Sequence, residues 1–80
     1  MNHQDVIAWI AEVFEEPAAR ITPATERKDI AGWDSLGTLS LIAALDEKFD
    51  IHLEENEIDA MASVQDIFAV LRRHGQLAEA

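Results

Sequence analysis

The sequence predicts an all-α fold, a small bundle of three main helices plus one short helix, with a long loop between helices one and two. Three observations predict it. Apolar residues recur at three- and four-residue steps in three separate segments of the 80-residue chain. Residues that start helices, Asn2, Asp34 and Ser63, stand immediately before those segments. No stretch alternates long enough to read as a strand with a visible partner. A chain this short holds one small core, so a single domain over 1–80 is expected, modest in stability.

The first helix is expected over about 3–15, where Val6, Ile7, Ile10, Val13 and Phe14 form one stripe and Asp5 favours the positive end of the dipole. Trp9 falls beside Ile10 and Val13, where it packs partly into the core. Pro17 closes the helix, and about 16–34 lacks a sustained period and reads as a loop pinned by Ile21 and Ile30. The second helix is expected over about 35–48, capped by Asp34. Two apolar lines coexist on it. Leu41, Leu45 and Phe49, with Ile42 beside them, are assigned to the core, while Leu36, Leu39 and Ala43 step along a different face. Burying so wide an arc in so short a chain is hard, so the second line is read as a docking surface, with ordinary core packing as its alternative. Ile51 and Leu53 flank His52 in an extended connection to a short helix over about 55–60, rich in acid at its start. Ser63 and Asp66 approximate a capping box for the last helix, about 64–74, with Val64, Ile67, Phe68 and Leu71 as its stripe and Gly75 as its C-cap. Residues 76–80 are expected to fray.

Composition narrows the function. With 16 Asp and Glu against 6 Lys and Arg, the formal net charge is −10, which repels phosphate and excludes nucleic-acid binding. Between Asp29 and Asp66 the acids crowd, and Lys48 is the single Lys or Arg; Arg20, Arg27, Lys28, Arg72 and Arg73 lie outside. Basic partners are favoured. No segment reads as a membrane span or a signal sequence, so a cytoplasmic, free-standing monomer is expected. There is no cysteine, hence no thiolate metal site or cysteine nucleophile. Asp46 to Glu57 mimics a calcium loop incompletely: Lys48 stands third, and Ile51 sixth, where the turn needs glycine. No metal is expected, and no catalytic residue either. Gly32 stands one residue too far from Ser35 for a hydrolase elbow, and His3, His52 and His74 read as ordinary surface histidines. The adjacent pairs Glu15-Glu16 and Glu54-Glu55 point apart into water and are assigned no acid–base work.

The informative segment is Gly32-Trp33-Asp34-Ser35-Leu36-Gly37, which places one serine hydroxyl in the first turn of a helix. Free backbone N–H groups and the helix dipole favour a phosphate bonded there, so Ser35 reads as an attachment point. Trp33, two residues earlier, is expected to brace the loop rather than contact an attached arm.

Asp34-Ser35-Leu36, with a helix ending Ala44-Leu45-Asp46-Glu47-Lys48-Phe49 and then Ile51, resembles the acyl carrier protein family over nearly the whole chain. The resemblance implies a single carrier domain over 1–80 in which Ser35 carries 4'-phosphopantetheine derived from coenzyme A, whose thiol holds cargo as a thioester. It further implies that Asp34 and Leu36 support recognition by a phosphopantetheinyl transferase. Leu39 and Ala43, with Asp46 and Glu47, would dock a loading ligase and downstream synthase or transferase enzymes, and cargo would withdraw between helices lined by Leu45, Ile58 and Met61. Fatty-acid carriers commonly have acids where this chain has Gly37 and Ser40, and the Gly37-Thr38 pair is similar to aminoacyl carriers and to small carriers of specialised pathways. Gly37 is read as allowing close approach of a partner backbone. The expectation is an acyl carrier of a dedicated biosynthetic pathway. The alternatives are an aminoacyl or peptidyl carrier of the same fold and an unmodified acidic interaction module.

Overall fold

The computed structural model describes residues 2–77, which form four α-helices: α1 (His3–Phe14), α2 (Ser35–Phe49), α3 (Glu55–Asp59) and α4 (Val64–Arg73). Helix α1 packs on α2, and α2 on α3. One core gathers Val6, Ile10 and Phe14 from α1, Leu41 and Leu45 from α2, Ile58 from α3, and Ile67, Phe68 and Leu71 from α4. Each of these large side chains, fully removed from water, contributes about 1.5–3 kcal/mol relative to exposure.

The helix ends explain why the elements stop where they do. Asn2 accepts from the Asp5 N–H at 2.8 Å and the Asp5 carboxylate accepts from the Asn2 N–H at 3.2 Å, so α1 opens on a reciprocal capping box. The sequence pattern credits Asp5 with a dipole role alone. Helix α4 opens in the same way from Ser63, and its Asp66 carboxylate also accepts from the Ala62 N–H at 2.7 Å. At its far end, Gly75 takes φ of 70° as the N–H groups of Gly75 and Gln76 bond the carbonyls of Arg72 and Leu71. That turn folds the chain back, and Leu77 is 7% exposed. Residues 76 and 77 are therefore packed, not frayed, because a hydrophobic contact after the glycine completes this cap; 78–80 lie outside the described residues.

The long loop is more ordered than its lack of period implies. Single 3-10 turns form at Ala18–Arg20 and Arg27–Asp29. Between them Thr22 and Thr25 close a turn, the Thr22 N–H donating to Thr25 Oγ1 at 2.9 Å and the Thr25 N–H to the Thr22 carbonyl at 3.0 Å. Next, the Arg27 N–H donates to the Ala62 carbonyl at 2.8 Å and the Val64 N–H to the Thr25 carbonyl at 2.9 Å. This two-bond bridge ties the loop to the start of α4. Ile21 and Ile30 enter the core on either side of it, as their apolar character requires. No helix among the described residues is long and apolar enough to cross a membrane.

Candidate functional site

Ser35 is the first residue of α2 and is exposed. Asp34 is its N-cap: the carboxylate accepts from the Gly37 N–H at 2.9 Å, and the Asp34 carbonyl accepts the Thr38 N–H at 2.8 Å. The amides of Ser35 and Leu36 lie in the first turn, where a helix supplies no acceptor of its own. An anion on Ser35 would face those two donors and the positive end of a fifteen-residue helix.

The platform beneath the serine is built by glycines. A Cβ on Gly37 would fall on the carbonyl oxygen of Gly32, and a Cβ on Gly32 would fall on the carbonyl oxygen of Phe14. The end of α1, the loop and the first turn of α2 thus stack at a spacing only glycine permits. This corrects the reading of Gly37 as making room for a partner: Gly37 is buried, and the backbone it admits is the chain's own.

Trp33 is 4% exposed and stacks on Phe14 with ring centroids 5.0 Å apart and planes 18° apart, so it braces the loop against α1. Its Nε1 is buried with no hydrogen-bond partner. The guanidinium of Arg27 lies 5.5 Å from the Trp33 ring centroid. It also donates to Thr38 Oγ1 at 3.2 Å and to the Asp59 carbonyl at 3.4 Å, and it stands 3.7 Å from the Asp59 carboxylate. Arg27 therefore joins the loop, α2 and α3. The sequence places Arg27 only outside the acidic window and does not reveal this junction, since no local period relates positions 27, 38 and 59. Thr38, one residue after Gly37 and 1% exposed, was missed for the same reason.

Farther along α2 the two apolar lines separate as anticipated. Leu41 and Leu45 are buried, with Ile42 and Phe49 partly so, whereas Leu36 is 73% exposed, Leu39 is 53% exposed and Ala43 is also exposed. Asp46 and Glu47 are exposed on the following turn. Asp46 is engaged by His52, whose Nδ1 lies 3.0 Å from it while Nε2 lies 3.2 Å from Asp50. His52 thus buckles the end of α2 to the connection after it, a contact with no signal in the sequence beyond spacing. Lys28, fully exposed, has its pKa raised by its hydrogen bond to Glu26 and by the charges of Glu26 and Asp29.

The fold is thus a small helical bundle with an exposed serine on a capped helix start. The phosphopantetheine attachment site family matches residues 4–71. The acyl carrier protein of Helicobacter pylori strain J99 is 38% identical over 64 residues, 80% of this chain and 82% of that protein. The acyl carrier protein of an Exiguobacterium species is 33% identical over 67 residues, covering 84% and 85% of the two chains. The chain belongs to the acyl carrier protein family, and its cofactor is 4'-phosphopantetheine.

Proposed function

We propose that Ser35 is the attachment residue and that the chain, itself non-catalytic, delivers acyl groups to the enzymes of a dedicated biosynthetic pathway as a cytoplasmic monomer. The observation that carries this reading is the exposed Ser35 hydroxyl on the first residue of α2, inside Asp-Ser-Leu and inside the matched segment. The residues fit the group: the first-turn amides of Ser35 and Leu36 would hold its phosphate, and the adjacent Asp34 carboxylate is already committed to the Gly37 N–H. When bound, phosphopantetheine supplies a thiol that holds an acyl group as a thioester.

The chain's own residues position and present. The glycine stack fixes Ser35 at the end of a rigid helix, so a transferase meets its hydroxyl in one geometry. No group of this turn is poised to deprotonate it, and activation therefore belongs to the transferase, with coenzyme A as donor and a divalent metal assisting. Leu36, Leu39 and Ala43 give partner enzymes a small apolar centre, and Asp46 and Glu47 an acidic rim. Such an interface releases readily, as a carrier must, because its charge pairs are screened by salt. Tethering then raises the effective concentration of the cargo at each enzyme. The Gly37-Thr38 pair is used in internal packing, Gly37 against Gly32 and Thr38 to Arg27.

The test is intact mass after incubation with coenzyme A, magnesium and a promiscuous phosphopantetheinyl transferase. One addition of about 340 Da, the mass of the transferred group, is expected and is absent from Ser35→Ala. No addition with two unrelated transferases sinks the assignment.

A further inference from the structure

Helix α3 depends on its contacts to stay in place. Five residues are too few to hold a helix in water without tertiary support, and α3 opens at Glu54 without the side-chain cap that Asp34 gives α2. Its buried residue is Ile58, which lies with Leu45 of α2 in the core. A further hold on its far end comes from Arg27. The Arg27 N–H donates to the Ala62 carbonyl at 2.8 Å, fixing the chain just after α3, and the guanidinium donates to the carbonyl of Asp59, the last residue of α3, at 3.4 Å. Carbonyls at a helix end lack intrahelical partners, so this one takes an outside donor. The same guanidinium donates to Thr38 Oγ1 of α2 at 3.2 Å. Arg27 thereby crosses the seam between α2 and α3 at a point one helical turn, about 4.5 Å of axis, beyond Ser35.

These bonds can yield. The contact to the Asp59 carbonyl is near the limit of a hydrogen bond, the Asp59 carboxylate stands 3.7 Å away, and 27% of the Arg27 side chain is open to water, which can replace both. The Trp33 ring, 5.5 Å from the guanidinium, keeps Arg27 on the loop side when α3 leaves. Behind the seam Leu45 and Ile58 are wholly buried and Met61 is 7% exposed, an apolar interior shut off from the surface. An alkyl chain on Ser35 gains by leaving water, and α2 and α3 must part to admit it.

We propose that Arg27 is a latch across the α2–α3 seam: while its bonds to Thr38 and Asp59 are made the interior is shut, and an alkyl cargo on Ser35 enters by breaking them. The inference rests on the carrier reading of Ser35. Arg27 is a positioning residue here, acting through α3 rather than on the cargo. While the cargo lies inside, the bonds stay broken, so removing the guanidinium removes a cost of entry and shifts the cargo inward. A cargo too short to reach Leu45 is unaffected.

The test has two measurements, the first made on the unmodified chain. Amide hydrogen exchange is followed at Ala60 and Met61, which donate to the Asn56 and Ile58 carbonyls, beside amides of α1 and α4. Arg27→Ala is expected to speed exchange at Ala60 and Met61 several-fold and to leave α1 and α4 unchanged. Unchanged exchange at Ala60 and Met61, or equal acceleration in all three helices, overturns the latch. The second measurement loads octanoyl and acetyl groups from their coenzyme A esters with a promiscuous transferase and times hydroxylamine cleavage of each thioester, since hydroxylamine reaches only cargo that lies outside. Intact mass checks loading at Ser35 first. Failure to load removes the carrier reading, and the cargo half of the proposal with it, while the exchange result still judges the latch. Octanoyl cleavage is expected to slow several-fold in Arg27→Ala, with acetyl cleavage keeping its rate. Unchanged octanoyl cleavage overturns the proposal, as does faster cleavage, which would mean that Arg27 holds cargo in. An acetyl rate that falls equally places the effect on the arm and overturns it too. Arg27→Lys keeps the charge and the backbone bond to Ala62 but has no fork to span Thr38 and Asp59, so it should move both readouts the same way, and it carries the test if Arg27→Ala fails to fold.

Discussion

Gly37 and Gly32 determine where Ser35 stands. Gly37 lies in the first turn of α2, where replacement by alanine on helix propensity alone would stabilise by up to about 1 kcal/mol. The added methyl, however, falls on the Gly32 carbonyl oxygen, with the Gly32 carbonyl carbon 2.9 Å away and Phe14 Cδ1 3.4 Å away. A backbone carbonyl cannot rotate aside as a side chain does, so overpacking wins over propensity. Gly37→Ala is expected to lower stability by about 1–3 kcal/mol, read as a lower urea midpoint, and to slow modification of Ser35 by displacing the turn that presents it. A raised midpoint would show that the loop yields freely. Trp33 is constrained from the other side: its ring is held by Phe14, and its N–H has been left without a partner. Such an unpaired donor, two residues before Ser35, departs from the rule that buried polar groups are satisfied.

Helix α2 does two things at once, and its two faces show how. One face, Leu41 and Leu45, is sealed in the core; the other presents Leu36 and Leu39 to solvent beside Ser35. Exposed leucines add little to folding, so Leu36→Ser with Leu39→Ser should change stability by no more than about 0.5 kcal/mol per site. The same pair should markedly weaken docking to a transferase, raising KM for the protein substrate at least several-fold. A large fall in the urea midpoint would return these leucines to the core and sink the docking reading. Much of this was legible in the sequence. The stripes of α1 and α4 have a single arc and a definite period, and the two lines of α2 are separable because 3.6 residues per turn puts Leu36 and Leu41 on different faces. The loop resisted, because its order comes from contacts distant in sequence. The bridge from Thr25 and Arg27 to Val64 and Ala62 and the reach of Arg27 to Thr38 and Asp59 have no local period to announce them. For the same reason the Asp34 cap of α2 is readable from the sequence but the Arg27 junction is not.

Across the whole molecule, excess negative charge acts on folding and on docking with opposite signs, and salt separates the two. The domain measures 29 × 28 × 19 Å. At about 0.01 M ionic strength the screening length, roughly 30 Å, spans it entirely, so every surplus acid repels every other; at about 0.1 M the length falls to roughly 10 Å and only neighbours interact. Exposed ion pairs, which salt would weaken, contribute about 0–1 kcal/mol each. Arg27–Asp59 is one such pair, against a net charge of −10. Repulsion therefore dominates, and the melting temperature of the unmodified protein should rise as sodium chloride is raised between these concentrations. Docking as proposed for Asp46 and Glu47 would run the other way, since these acids would then face a basic partner surface. The association rate with a transferase should fall over the same range while the dissociation rate changes less. Thermal melts and stopped-flow binding on one salt series read both slopes. A melting temperature that falls with salt would mean that the exposed pairs outweigh the surplus charge, and a salt-insensitive association rate would mean that the acidic rim has no role in docking.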